Sequence, residues 1–114
     1  DALQLKELHD LATSLRIDVL VEVCDEEDVQ KIEPFHFPLI GINNRNLATM
    51  NVDTENSRNF IRYFTSDQTI VAASGISSRT DIETTMQAGI RSFLIGEYLS
   101  KSSNRIETLR QLVG

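Results

Sequence analysis

Residues whose types and spacing could do chemistry fall at four places along the chain. Glu22 is an acid inside the apolar run LVEV. Asn43 and Arg45 lie in the string GINNRNL, where an apolar stretch breaks into four consecutive polar residues. Ser74-Gly75 follows the run TIVAA, and Gly96-Glu97 follows SFLI. A carboxylate set among apolar neighbours loses hydration, which raises its pKa and fits it for general acid–base work. Asn carries both a donor and an acceptor, and Arg carries a rigid cationic fork that suits anions. Small residues leading into helices expose backbone N–H groups, the usual means of holding a phosphate. Each feature also has a plainer explanation. Glu22 could be an outward-facing or salt-bridged residue. The four polar residues after Ile42 could be a simple turn, since Asn tolerates left-handed geometry. Either glycine could close an ordinary turn. The Ser-Gly and Gly-Glu exits follow consecutive apolar runs, and a phosphate between the last two strand-to-helix loops is a recurrent barrel feature.

The elements that must position these residues follow from two alternating periodicities. Leu5, Leu8, Leu11, Ala12 and Leu15 recur at helical spacing. Ile17 to Val23 is a β-branched run of strand length, and the acids from Asp25 to Asp28 suit the first turn of a helix. Val29 and Ile32 give that helix its apolar side before Pro34 stops it. Leu39 to Ile42 is a second strand. Asp53 opens a further helix, with Phe60, Ile61 and Phe64 on its inner side, and Thr69 to Ala73 is a third strand. Ser78 to Asp81 has the pattern of a capping box, Gly89 stands where a left-handed cap belongs, and Ser92 to Ile95 is a fourth strand. A second capping box, Asn104 to Glu107, starts a last helix with Ile106, Leu109 and Val113 as its expected buried face. The predicted order is α-β-α-β-α-β-α-β-α, with strands spaced as parallel βα units require. A small doubly wound sheet and a segment of a (βα)8 barrel both satisfy it. In either fold, functional groups collect at the carboxyl ends of the strands. In the barrel, Val19, Val21, Ile40, Val71 and Leu94 are expected to face the interior.

Composition narrows the function classes. The chain has 114 residues, 40% of them hydrophobic and 25% charged, which suits a single domain over 1–114. A complete barrel needs ~250 residues, so only part of one fits. No apolar run approaches the ~20 residues that cross a bilayer. No basic n-region leading into an apolar core follows Asp1, so no signal peptide is expected. Eleven Lys and Arg against 17 Asp and Glu give a net charge of −6, which argues against nucleic acid or an anionic membrane as partner. A small anionic ligand stays compatible, because a few amides can hold a phosphate in an acidic protein. The single cysteine, Cys24, excludes an internal disulfide framework and reads as a packing residue. His9 and His36 read as surface or packing residues rather than a metal pair. Arg105 and Arg110 read as a solvated face, and Phe35 and Phe37 as a plug for the bottom of the sheet.

The strings LVEVCDEEDV, LIGINNRNL, VAASGISSRTDIE and FLIGEYL, in this order and spacing, resemble the indole-3-glycerol-phosphate synthase family over essentially the whole chain. GINNRNL after an LVEV strand carries most of the specificity. SGI with FLIGE is shared more loosely with other phosphate-binding barrels, phosphoribosylanthranilate isomerase among them. The resemblance implies an α/β fold: the parallel-stranded (βα)4 carboxyl-terminal half of a TIM barrel, preceded by one helix. It implies a cytoplasmic enzyme of tryptophan biosynthesis (plastid in a plant). That enzyme closes the indole ring of 1-(2-carboxyphenylamino)-1-deoxyribulose 5-phosphate with loss of carbon dioxide and water, using no cofactor or metal. By position, Glu22 falls on the general base and Asn43 on a substrate hydrogen-bonding residue, with Arg45 in the same loop. Ser74, Gly75, Gly96 and Glu97 fall on the phosphate grip.

Three departures accompany the match. Ala73 stands where the family usually has Glu before the Ser-Gly, Tyr98 replaces a commonly small residue, and the family's catalytic lysines belong to strands that precede this region. The expected chain is therefore an enzyme part, inactive without an amino-terminal half-barrel, that pairs with that half or self-associates. The alternative is a half-barrel that keeps the fold and the phosphate site without chemistry. A flavodoxin-like signalling domain is disfavoured, because Ala72 and Ala73 occupy the place of its acidic cluster.

Overall fold

The computed structural model describes residues 1–45 and 55–114. Asn46, Leu47 and the helix start expected at Asp53 lie outside the described residues. Four strands, β1 (Val21–Val23), β2 (Leu39–Asn43), β3 (Thr69–Ala73) and β4 (Ser92–Leu94), form one parallel sheet in the order β1-β2-β3-β4. Helix α1 (Ala2–Ser14) precedes the sheet. Helices α2 (Glu26–Ile32), α3 (Glu55–Phe60) and α4 (Arg79–Gln87) connect the strands, and α5 (Glu97–Lys101) and α6 (Arg105–Val113) follow β4. Sequential parallel strands with intervening helices are the (βα)4 half of a TIM barrel preceded by one helix.

The helix ends follow from their capping residues. The Asp25 side chain accepts from the Asp28 N–H, Ser78 from Asp81, and Asn104 from Glu107, each starting a helix where the sequence indicates. Gly89, at φ 101°, ends α4 with bonds from Gly89 N–H to Met86 C=O and from Ile90 N–H to Thr85 C=O, the Schellman pattern. Arg16, at φ 58°, ends α1 in the same way, bonding Thr13 while Ile17 bonds Ala12. That turn absorbs the start of the expected first strand. Ladder pairing begins only at Val21, opposite Ile40.

Register sorts the side chains onto two faces. Val21, Ile40 and Ile70 form one row and Val23, Ile42 and Ala72 the next. Both rows are buried with Val29, Ile32, Phe37 and Ile90. This is the helix-covered face, so Val21 and Ile40 do not face the barrel interior as expected. They sit one residue out of phase with it, and in a strand one residue is the whole difference between faces. The opposite face carries Glu22, Gly41, Val71 and Ser92 in one row and Asn43, Ala73 and Leu94 in another. Val71 and Leu94 are there as expected, and Leu94 is 52% exposed. Val19 packs against the edge of the main core.

Two helices bury faces other than those expected. In α1, Leu5 meets the core and His9 stacks on Phe37 with ring centroids 4.7 Å apart, while Leu8, Leu11 and Leu15 are exposed. In α6 only Leu112 is buried, against Ile76 and Ile82. Ile106, Leu109 and Val113 are exposed. Arg79 fixes that rotation by donating to the carbonyls of Leu112 (2.8 Å) and Val113 (2.9 Å).

At the amino ends of β2 and β3 the Phe37-to-Thr69 connection is tied by polar contacts. Gln68 Nε2 donates to the Phe37 carbonyl at 2.9 Å, and His36 Nε2 lies 2.9 Å from the Asp67 carboxylate. The Thr65 hydroxyl foremost, then His36, lowers the Asp67 carboxyl from 3.8 to about 2. A depressed folded-state value adds stability that is complete above 3.8 and is lost as pH falls toward about 2. Asp67→Asn is therefore expected to be less stable than wild type near neutrality and to lose less stability across that acid interval. Denaturant midpoints measured from pH 5 to pH 2 check this, and parallel curves for the two proteins would contradict it.

Candidate functional site

The carboxyl ends of β2, β3 and β4 open onto a cleft of about 720 Å3. Arg45 lines it from the loop after β2, Ser74 and Gly75 from the loop after β3, Gly96, Glu97 and Tyr98 from the start of α5, and Lys101 from its end. Another cavity, of about 390 Å3, lies at the opposite rim beside Thr69, Gly89 and Ser92. Ligand sites of parallel α/β folds sit at the carboxyl ends, so the first cleft is the candidate site.

Asn43 ends β2 beneath the cleft and is almost fully buried. Its Oδ1 accepts from the Arg45 N–H at 2.9 Å and from Ser74 Oγ at 2.5 Å. Asn44, to which residue type and spacing assign no role, is 1% exposed. Its Nδ2 donates to the Ser74 carbonyl at 3.0 Å, and its Oδ1 accepts from Ser57 Oγ at 2.8 Å. Ser74 and Gly75 have φ of 59° and 76°, two successive left-handed residues that turn the chain out of β3. The Ser74 N–H reaches the Leu94 carbonyl at 3.4 Å, tying this turn to the end of β4.

Gly96 has φ −117°, which any residue adopts, and a Cβ there would meet nothing within 4 Å. Its lack of a side chain serves no packing need of this chain. The Arg45 side chain is three-quarters buried and its Nη2 contacts Glu97 Oε2 at 2.7 Å, and Lys101 Nζ contacts Glu97 Oε1 at 2.6 Å. Lys101 foremost, with Arg45 after it, holds the Glu97 carboxyl below its ordinary range. Both cations of the cleft wall thus share one acid, which offsets one of their two charges.

Glu22 does not line the cleft. It lies one strand away on the open face of the sheet, beside Gly41, and is exposed. The desolvation expected for it is absent in this chain, because the helices cover the opposite face. Gly41 leaves it room: a Cβ there would lie 3.2 Å from Glu22 Cγ. Ala73 is buried and sits opposite Asn43 in the ladder. Cys24 is half-buried, and burial, followed by Asp28, Glu22 and Asp25, pushes its thiol pKa up, the opposite of what a nucleophile needs. Among the described residues no group of three or more His, Cys, Asp or Glu could hold a metal ion.

A family model described as indole-3-glycerol phosphate synthase matches residues 1–112. The chain belongs to the indole-3-glycerol phosphate synthase family. A relative of that name from Koribacter versatilis is 44% identical over 112 residues, which is 98% of this chain and 43% of the relative. One from Desulfosudis oleivorans is 44% identical over 109 residues, 96% of this chain and 41% of the relative. The chain spans about two fifths of the length of these curated relatives. Among solved structures, the Amycolatopsis orientalis BexX/CysO complex superposes with a TM-score of 0.63 at 15% identity, over 99% of this chain and 50% of that one. A mandelate oxidase superposes with a TM-score of 0.56 at 17% identity, over 85% of this chain and 32% of that one. At such identities these structures show a shared fold alone.

For this family member, removing Lys101 is expected to raise the Glu97 carboxyl pKa toward the ordinary glutamate value, and removing Arg45 to raise it less. Carboxyl-carbon NMR titrations of Lys101→Ala and Arg45→Ala measure this. A larger rise in the arginine variant would reverse the ranking.

Proposed function

We propose that this chain supplies the phosphate grip and the general base of an indole-3-glycerol phosphate synthase, a lyase of tryptophan biosynthesis. Its substrate would be 1-(2-carboxyphenylamino)-1-deoxyribulose 5-phosphate. The products are indole-3-glycerol phosphate, carbon dioxide and water, with no metal or cofactor required. The observation that carries the reading is the convergence of Arg45, Ser74-Gly75 and Gly96 on one cleft at the carboxyl rim, in a chain of this family.

In this proposal the substrate phosphate rests on backbone N–H groups of Gly75, Gly96 and Glu97. Charge assists rather than dominates, since Glu97 offsets one of the two charges of Arg45 and Lys101. Arg45 would leave Glu97 to meet a substrate anion, and Asn43 would hydrogen-bond the substrate below it. Glu22 acts as general base on the open face. A second half-barrel packed there would exclude water and give its carboxylate the basicity the step needs. The exposed apolar residues of α1 and α6, Leu8, Leu11, Leu15, Ile106, Leu109 and Val113, support pairing with such an amino-terminal half. Self-association would cover the same residues. The family's catalytic lysines, which supply the general acid, belong to that other half. Ala73 and the exposed Glu22 favour a second reading, a half-barrel that binds phosphate without chemistry.

The test joins this chain genetically to the amino-terminal part of a relative and measures indole-3-glycerol phosphate formation. The joined protein is expected to turn over, the chain alone to remain at the no-protein background, and Glu22→Gln to lower the rate about 10²–10⁴-fold. Gly96→Val should raise KM while leaving the fold intact, because its side chain projects into open space at the cleft. A joined protein whose rate ignores Glu22→Gln would remove the general-base assignment. No turnover in any joined form would favour the non-catalytic reading.

A further inference from the structure

We propose that Asn44 is a positioning residue: it locks the left-handed Ser74-Gly75 turn and thereby aims the Gly75 amide into the cleft, an inference that rests on the phosphate-site reading. Its backbone N–H donates to the Ala73 carbonyl at 2.9 Å, extending the β2–β3 ladder one residue beyond the strands. Its side chain, 1% exposed, points away from solvent and joins two further segments. Nδ2 donates to the Ser74 carbonyl at 3.0 Å, and Oδ1 accepts from the Ser57 N–H at 3.2 Å and Ser57 Oγ at 2.8 Å. Asp lacks the donor, Ser lacks the reach, and Gln places its amide one methylene too far, so Asn alone satisfies both sides at this spacing.

The consequence for the cleft follows from peptide geometry. Ser74 is a non-glycine residue at φ 59°, a conformation that persists only when surroundings enforce it. The Ser74 carbonyl and the Gly75 N–H belong to one peptide unit, which is planar and trans, so they point in opposite directions. With the carbonyl pinned inward on buried Asn44, the N–H is directed outward, toward the cleft that Gly75 lines. Releasing the carbonyl frees the plane to rotate, and the amide loses its aim.

The experiment compares Asn44→Ala with Ser57→Ala in the 114-residue chain. Both lose the bond from Ser57 Oγ, but only the first loses the bond to Ser74. Two NMR readouts are taken: the Ser74 φ, from its amide-to-α coupling and Cβ shift, and the affinity for inorganic phosphate, from the Gly75 amide. Asn44→Ala is expected to abolish the left-handed signature and to weaken phosphate binding about tenfold or more, the size of one lost buried hydrogen bond. Ser57→Ala is expected to lower stability and leave both readouts within about twofold of wild type. Should Asn44→Ala fail to fold, Asn44→Asp, which keeps the acceptor for Ser57, gives the Ser74 readout. A left-handed Ser74 retained in the Asn44 variant overturns the proposal, as does equal loss in both variants. If the wild-type chain shows no phosphate response, the phosphate-site reading fails, and the Ser74 signature still decides the role of Asn44.

Discussion

The five-rung parallel pairing of β2 with β3 is what the rest of the structure hangs on. It runs from Leu39 opposite Thr69 to Asn43 opposite Ala73, so both strands stop on the same rung and release their loops at the same height. β4 ends on that rung too, with Leu94 opposite Ala73, while β1 stops one rung lower with Val23 opposite Ile42. Three loops therefore meet at one level and form the cleft wall, and Glu22, on the shorter strand, stands apart from them. Shifting the β2–β3 register by one residue would move Asn43 to the helix-covered face and bring Ile42 to the open one. Burial of Ile40 and Ile42 against the helices opposes that slip.

Much of this frame was legible in the sequence because it depends on local chemistry. The capping residues Asp25, Ser78 and Asn104, the left-handed Gly89 and the third strand all act through near neighbours. The face assignment was not legible. Strands of a parallel sheet are apolar on both sides, so alternation carries no phase, and nothing in the runs marks Val21 and Ile40 for the helix-covered face. On α1 and α6 the apolar stripe is wider than the surface this chain covers, and the packing of Leu5, His9 and Leu112 chose which part is buried. Arg16 at positive φ gave no glycine signal, which is why the first strand read four residues too long.

The site residues divide in the same way. The loop exits at Ser74-Gly75 and Gly96-Glu97 were found from small residues after apolar runs, and the chain does bring them together. Asn44 has no chemical motif of its own, but strand geometry carries a signal for it. Consecutive strand residues face opposite ways, so if Asn43 lies on the open side then Asn44 must lie inside, and a buried amide must find partners. The pairing of Glu97 with Arg45 spans 52 positions and had no local signature. It reconciles an acidic chain with an anion site: Glu97 offsets one of the two cations on the cleft wall, and the pair leaves a net positive charge beside the oriented backbone N–H groups.

The most direct test of that claim is the location of bound anion. Ribulose 5-phosphate added to isotope-labelled chain should shift the amides of Gly75, Gly96 and Glu97 first, with little change at Thr69, Gly89 or Ser92 on the opposite rim. Largest shifts at that opposite rim would contradict a phosphate site built by the carboxyl-end loops.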